Sequence, residues 1–140
     1  MTIAIVGSRI FDDYDLLKSV MQPFLSKAQQ IVSGGAEGAD KLGEKWSYDF
    51  LNQPPIIIRP QWRELNHPDA LIKKDKNGQT FDARAGIRRN EQIVQQADIV
   101  IAFWDGQSKG TRHTINFSRK LGKTIKVINF RQNVQMALPF

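Results

Sequence analysis

Two short glycine-rich segments, each placed where an apolar run gives way to an amphipathic one, constrain this chain most. The first is Ser33-Gly34-Gly35-Ala36-Glu37-Gly38-Ala39-Asp40, preceded by Ile31-Val32. The second is Asp105-Gly106-Gln107-Ser108-Lys109-Gly110-Thr111, preceded by Ile99-Val100-Ile101-Ala102-Phe103-Trp104. Glycines at a strand-to-helix turn let backbone N–H groups converge at the positive end of the helix dipole, which makes a site for phosphate or another anion. Two such turns in one short chain point to a nucleotide-like small-molecule ligand.

The remainder of the chain keeps the same rhythm. Strand patterns fall at 2–6, 30–33, 56–58, 98–103 and 124–128, and helical periodicity at 13–28, 38–51, 82–97 and 111–121. Pro23 should kink or shorten the first helix. Trp46 shares helical spacing with Ala39, Leu42 and Phe50 and reads as core, and Ala83, Ile87, Val94 and Ala97 share one face of the third helix. Gly122 is placed to end the last helix. Residues 59–80 break the rhythm: they are polar, carry the Asn77-Gly78 turn signal, and read as a surface excursion, either a lid beside the site or a solvated hairpin. Residues 131–140 form a tail without pattern.

Strands alternating with helices imply an α/β fold with a parallel sheet covered on both faces. Right-handed crossovers then give a Rossmann-like, doubly wound five-stranded sheet of order 3-2-1-4-5, with residues 1–130 as one domain. The switch point lies between the first and fourth strands, and ligands bind there, beyond the carboxyl ends of the strands. Gly7-Ser8-Arg9 and both glycine-rich turns converge on that crevice.

Composition narrows the partners. The net charge of +6 and pI near 9.8 suit phosphates and nucleic acid. The chain has no Cys, which excludes disulfides and thiolate chemistry and fits a cytoplasmic protein. No basic, apolar leader opens the chain, and no apolar run nears the roughly 20 residues that span a bilayer, so no membrane partner is expected. His67 and His113 alone make no metal set. Neither a P-loop nor a Ser-His-acid triad is present, so no metal and no separate cofactor are expected.

The strings Gly7-Ser8-Arg9, Ser33 to Asp40, Ala85-Gly86-Ile87-Arg88-Arg89-Asn90, Ala97 to Gly106 and Ser108-Lys109-Gly110-Thr111 resemble the SLOG superfamily of Rossmann-like proteins, most closely its small YspA/cpYpsA-related branch. The resemblance covers about residues 1–130. It links the chain to cytokinin-activating phosphoribohydrolases, to DNA processing protein A and to sensors of nucleotide-derived signals. It implies a nucleotide or ADP-ribose-like ligand at the switch point and, from the habits of relatives, a homo-oligomer. The phosphoribohydrolases carry Pro-Gly-Gly-x-Gly-Thr-x-x-Glu, but here Thr114 stands where that Glu would be. The departure argues against their N-glycosidic hydrolysis.

Residue by residue, Arg9 is placed to clamp a phosphate bidentately, with Ser8 beside it. Ser33, Gly34, Gly35, Ala36 and Gly38 form the first nest. Asp40 reads as a helix cap or an arginine partner. Glu37 could meet a ribose hydroxyl; if chemistry occurs, Glu37 or Asp40 is the carboxylate to carry it. The resemblance adds Arg88 and Asn90. Trp104, ending its strand, either stacks on a base or belongs to the core. Asp105, Gly106, Ser108, Gly110 and Thr111 form the second nest, with the Thr111 hydroxyl as a donor. Three readings follow: a sensor or sequestering protein for a nucleotide-derived signal, a nucleotide hydrolase, and a nucleic-acid-binding module. The missing Glu favours the first over the second. Aromatics exposed along a basic groove would favour the third.

Overall fold

The apolar runs pair as parallel strands with a helix between almost every pair. The computed structural model describes residues 1–131, and the tail expected at 131–140 lies almost wholly outside them. In chain order the elements are β1 (Thr2–Gly7), α1 (Tyr14–Met21), β2 (Gln30–Ser33), α2 (Ala39–Trp46), β3 (Ile56–Ile57), β4 (Ile72–Lys74), β5 (Thr80–Asp82), α3 (Ala85–Gln96), β6 (Ile99–Trp104), α4 (Lys109–Lys120) and β7 (Thr124–Asn129). The main sheet has the order β3-β2-β1-β6-β7, all parallel. This is the doubly wound order read from the sequence, with the last two strands renumbered because the excursion adds a hairpin.

Alternation along the central strands divides the core into two layers. Ile3, Ile5, Ile101 and Phe103 pack on one face with Leu17, Met21 and Trp46 from α1 and α2. Ala4, Val6, Val100 and Ala102 pack on the other with Ile93, Val94 and Ile115 from α3 and α4. The N-terminal turns of α3 and α4 lie beside the end of β1.

Local chemistry sets the boundaries. Asp13 caps α1 by accepting from the Leu16 amide at 3.0 Å. Pro23 falls in a 3-10 turn, Gln22–Phe24, so α1 stops at Met21 rather than running on to 28. After Trp46 the second helix widens to a π turn over Ser47–Leu51, ending at left-handed Asn52. Trp46 is buried as its spacing predicts, whereas Phe50 stacks on it and stays 43% exposed. Gly122 follows α4 with a positive φ, the expected helix stop.

The excursion is a built structure. β4 and β5 pair antiparallel, joined through the Asn77-Gly78 turn, and Arg63 donates to the Thr80 carbonyl at 2.7 Å and to Gln79 at 3.0 Å. Asp82 anchors it to α3. This fully buried carboxylate accepts from the Leu71 and Arg84 amides, each at 3.0 Å, and from Arg88. Burial alone would raise the Asp82 carboxyl, but those donors outweigh it and hold the group below the usual carboxylate range.

Candidate functional site

Beyond the carboxyl ends of β1 and β6 lies a cavity of about 430 Å³. Its floor is Gly7, Ser8 and Arg9 from the end of β1, with Ser108, Gly110, Thr111 and Thr114 from α4 and the turn before it. Arg89 and Asn90 of α3 close one side, Ala36 and Asp40 another, and Ile10, Trp62 and Ile87 form an apolar rim. The volume falls within the usual range for small-ligand sites, and the mix of an apolar wall with a few convergent polar groups is what such sites share.

The two glycine-rich turns, expected as twin anion nests, are filled differently. In the first the anion is the protein's own. The Asp40 carboxylate accepts from the Ala36 amide at 3.1 Å and is paired electrostatically with Arg89, which donates to the Gly34 carbonyl at 2.6 Å. A Cβ on Gly34 would stand 2.7 Å from the Arg89 guanidinium and 2.8 Å from the Asp40 carboxylate, so that glycine makes room for the pair. Gly38 has φ near 79°, and a Cβ there would meet the Ser8 carbonyl at 2.4 Å. It lets α2 begin flush against the end of β1, where the Ala39 amide donates to Ser8 at 3.1 Å. Burial pushes the Asp40 carboxyl up to about 6, with the Ala36 amide and Arg89 pulling the other way and Glu44 reinforcing the rise. Burial also lowers the Arg89 guanidinium, opposed by Asp40.

The second turn stays open. Asp105 accepts from the amides of Gln107 and Ser108 at 2.9 and 2.7 Å, which fixes the loop and, ahead of its other contacts, lowers its carboxyl. These bonds stop at Ser108. Among the described residues no side chain caps α4, so the amides of Lys109, Gly110 and Thr111 have no intrahelical acceptor, and Gly110 and Thr111 line the cavity. Beside them the Ser108 and Thr111 hydroxyls lie 3.3 Å apart. Arg9 is exposed on the cavity floor and makes no hydrogen bond or ion pair among the described residues. A positive helix end, two hydroxyls and an uncommitted guanidinium thus converge on one space.

Of the residues singled out from sequence, Gly7, Ser8, Arg9, Ala36, Asp40, Asn90, Ser108, Gly110 and Thr111 line this cavity. Ser33, Gly34 and Gly38 pack against residues that line it, Gly35 faces Ile57 and Arg59, and Glu37 is exposed outside it. Asp105 and Gly106 shape the loop, with Ser8 donating to Asp105 at 3.4 Å. Two more of the singled-out residues, Arg88 and Trp104, fall outside the cavity lining. Arg88 is spent on Asp82 and on Asp69, the latter at 2.6 Å, so it fastens the excursion rather than lining the crevice. Its neighbour Arg89 reaches the cavity instead, because α3 turns that face toward the sheet. Trp104 donates its indole N–H to the Ser108 carbonyl at 3.1 Å with Arg112 over its ring, so it props α4 rather than offering a stacking face. Ile87 is 43% exposed on the rim. The aromatic at the crevice is Trp62. Its only sequence signal is a large aromatic in an otherwise polar stretch.

No family model matches the chain. The Gene 61 protein of Mycobacterium phage D29 is 29% identical over 136 residues, covering 91% of this chain and 94% of that protein. Among solved structures, DNA processing protein A from Helicobacter pylori, described for its single-stranded DNA binding mode, superposes with a TM-score of 0.65 at 17% identity, covering 97% of this chain and 72% of that one. DNA processing protein A from Streptococcus pneumoniae gives a TM-score of 0.53 at 18% identity, with 99% of this chain matched to 62% of that one, under two thirds of its length. These likenesses are of fold: the chain has the Rossmann-like sheet of DNA processing protein A, in keeping with the link drawn from its motifs. Among the described residues no helix is long and apolar enough to cross a membrane.

Proposed function

We propose that the crevice binds a nucleotide unit, with its phosphate held by the first amides of α4, the Thr111 and Ser108 hydroxyls and the Arg9 guanidinium. The observation that carries this reading is the start of α4, uncapped among the described residues, on the same cavity as Arg9, which makes no hydrogen bond or ion pair among them. Dipole, amides and guanidinium all favour an anion there. The unit is bound rather than cleaved. Thr114 spends its hydroxyl on the Gly110 carbonyl at 3.1 Å, Glu37 stands outside the cavity, and Asp40 is committed to the first turn.

A second reading, that the nucleotide belongs to a single strand of nucleic acid, is favoured by the fold shared with DNA processing protein A and by the net charge of +6. Titration of the purified protein with nucleoside monophosphates, ADP-ribose and a short single-stranded oligonucleotide separates the two. A free nucleotide that saturates the site supports the first reading. An oligonucleotide that binds where free nucleotides do not, with affinity falling steeply as salt rises, supports the second. In either case Arg9→Ala should weaken binding about 10- to 100-fold, the scale of a charge-assisted hydrogen bond, while the ligand-free melting temperature stays put. If nothing in the panel binds, the nucleotide reading falls.

A further inference from the structure

Trp62 is held in place more firmly than an excursion residue needs to be. Its carbonyl accepts from the Asp82 amide at 2.8 Å, and Asp82 is the buried anchor of the hairpin. Phe81 meets its ring edge-on with centroids 6.4 Å apart. Beneath it, Gly86 leaves space that a side chain would take: a Cβ there would come within 3.0 Å of the indole Cη2. Yet the side chain remains 38% exposed, and it lines both the crevice and an outer cavity of about 660 Å³. Ile10 and Ile87, 53% and 43% exposed, complete the apolar rim around the same opening. A fixed indole at the mouth of a cavity whose floor is built for an anion matches the two ends of a nucleotide, a flat aromatic base and a charged phosphate.

Resting on the nucleotide reading of this crevice, we infer that Trp62 is the base-stacking wall and the residue that makes the site select ligands carrying an aromatic base. The excursion is then part of the binding site, and its anchor, Asp82 with Arg88, serves to position the indole. Stacking of a base on an aromatic side chain is tolerant of base identity, so the site discriminates base from no base more than one base from another.

The test compares wild type, Trp62→Ala and Trp62→Phe in titrations with AMP, a short single-stranded oligonucleotide and ribose 5-phosphate, the last carrying the anion without the base. Trp62→Ala should lose about tenfold or more in affinity for whichever base-bearing ligand the wild type binds and change less than about twofold for ribose 5-phosphate. Trp62→Phe, which keeps a ring, should recover most of the loss. Should Trp62→Ala fail to fold, Gly86→Ala, whose methyl displaces the indole edge while suiting the helix, should weaken the base-bearing ligand alone. Unchanged affinity for the base-bearing ligand in Trp62→Ala, or equal loss for ribose 5-phosphate, would overturn the inference and leave the site reading intact. A wild type that binds none of the three overturns both.

Discussion

The two glycine-rich turns look alike in sequence and do opposite work. In the first, a carboxylate from inside the chain takes the Ala36 amide, a guanidinium from α3 offsets its charge, and the glycines are required because protein atoms crowd them. In the second, the loop carboxylate of Asp105 takes two amides and stops, leaving the first turn of α4 open to the cavity. A glycine turn ahead of a helix therefore marks a place where an anion is favoured. Whether the anion is a ligand or a side chain depends on which groups packing delivers. A substitution that is harmful at one turn should be mild or favourable at the other.

The largest difference is expected from Gly38→Ala. The positive φ strains any other residue, and the new methyl would lie 2.4 to 2.5 Å from the Ser8 and Arg9 backbone. Neither can yield without moving the end of β1. Strain and overpacking together should remove about 3 kcal/mol of stability, read by chemical denaturation. A loss under about 1 kcal/mol would show that the close approach of α2 to β1 is not what this glycine provides.

The first turn should also announce its internal anion through pH. Asp40 titrates near 3.8 when unfolded and is pushed up to about 6 in the fold. The folded state therefore binds this proton more tightly than the unfolded chain. Its contribution is fully present below about pH 4 and is lost as pH rises through about 6, a decline on the order of 3 kcal/mol. Asp82 and Asp105, both lowered, act in the opposite sense and at more acid pH. Asp40→Asn keeps an acceptor for the Ala36 amide and should flatten the melting curve against pH in that window. Parallel curves for the variant and wild type would remove Asp40 as the cause.

Much of this was legible in the residues, for physical reasons that also explain what was not. The sheet order followed from apolar runs separated by amphipathic ones, since Ile3 to Val6 and Val100 to Phe103 have no other way to bury both faces. The convergence of Ser8, Arg9, Gly110 and Thr111 followed from that order. The choice between Arg88 and Arg89 did not: adjacent positions on a helix differ by about 100°, and the rotation of α3 is set by Ile93 and Val94 packing on the sheet. Trp62 was hidden because the excursion has no period. Its place depends on the buried Asp82, which a sequence shows only as one acid among many. At the first nest the sequence supplies Asp40 as an arginine partner, but only the packing of α3 shows that Arg89 is that partner and that the carboxylate also takes the Ala36 amide.

The smallest expected effect is the most discriminating, and it falls on the second turn. Gly110 occupies the first turn of α4, and a Cβ there would have ordinary space, its nearest neighbour being Asn90 Nδ2 at 4.0 Å. Gly110→Ala therefore should not strain the fold. Replacing glycine in a helix should raise ligand-free stability by about 0.5 kcal/mol. Gly110 and Asn90 both line the cavity, so the added methyl would stand in the space where an anion approaches the open amides. Binding of the nucleotide or oligonucleotide should weaken even as the melting temperature climbs. A packing role would move both quantities the same way, as Gly38→Ala is expected to do. Opposite movements, measured by thermal melts and titration on the same preparation, would identify the start of α4 as the ligand's phosphate site; a more stable protein with undiminished affinity would place the anion elsewhere.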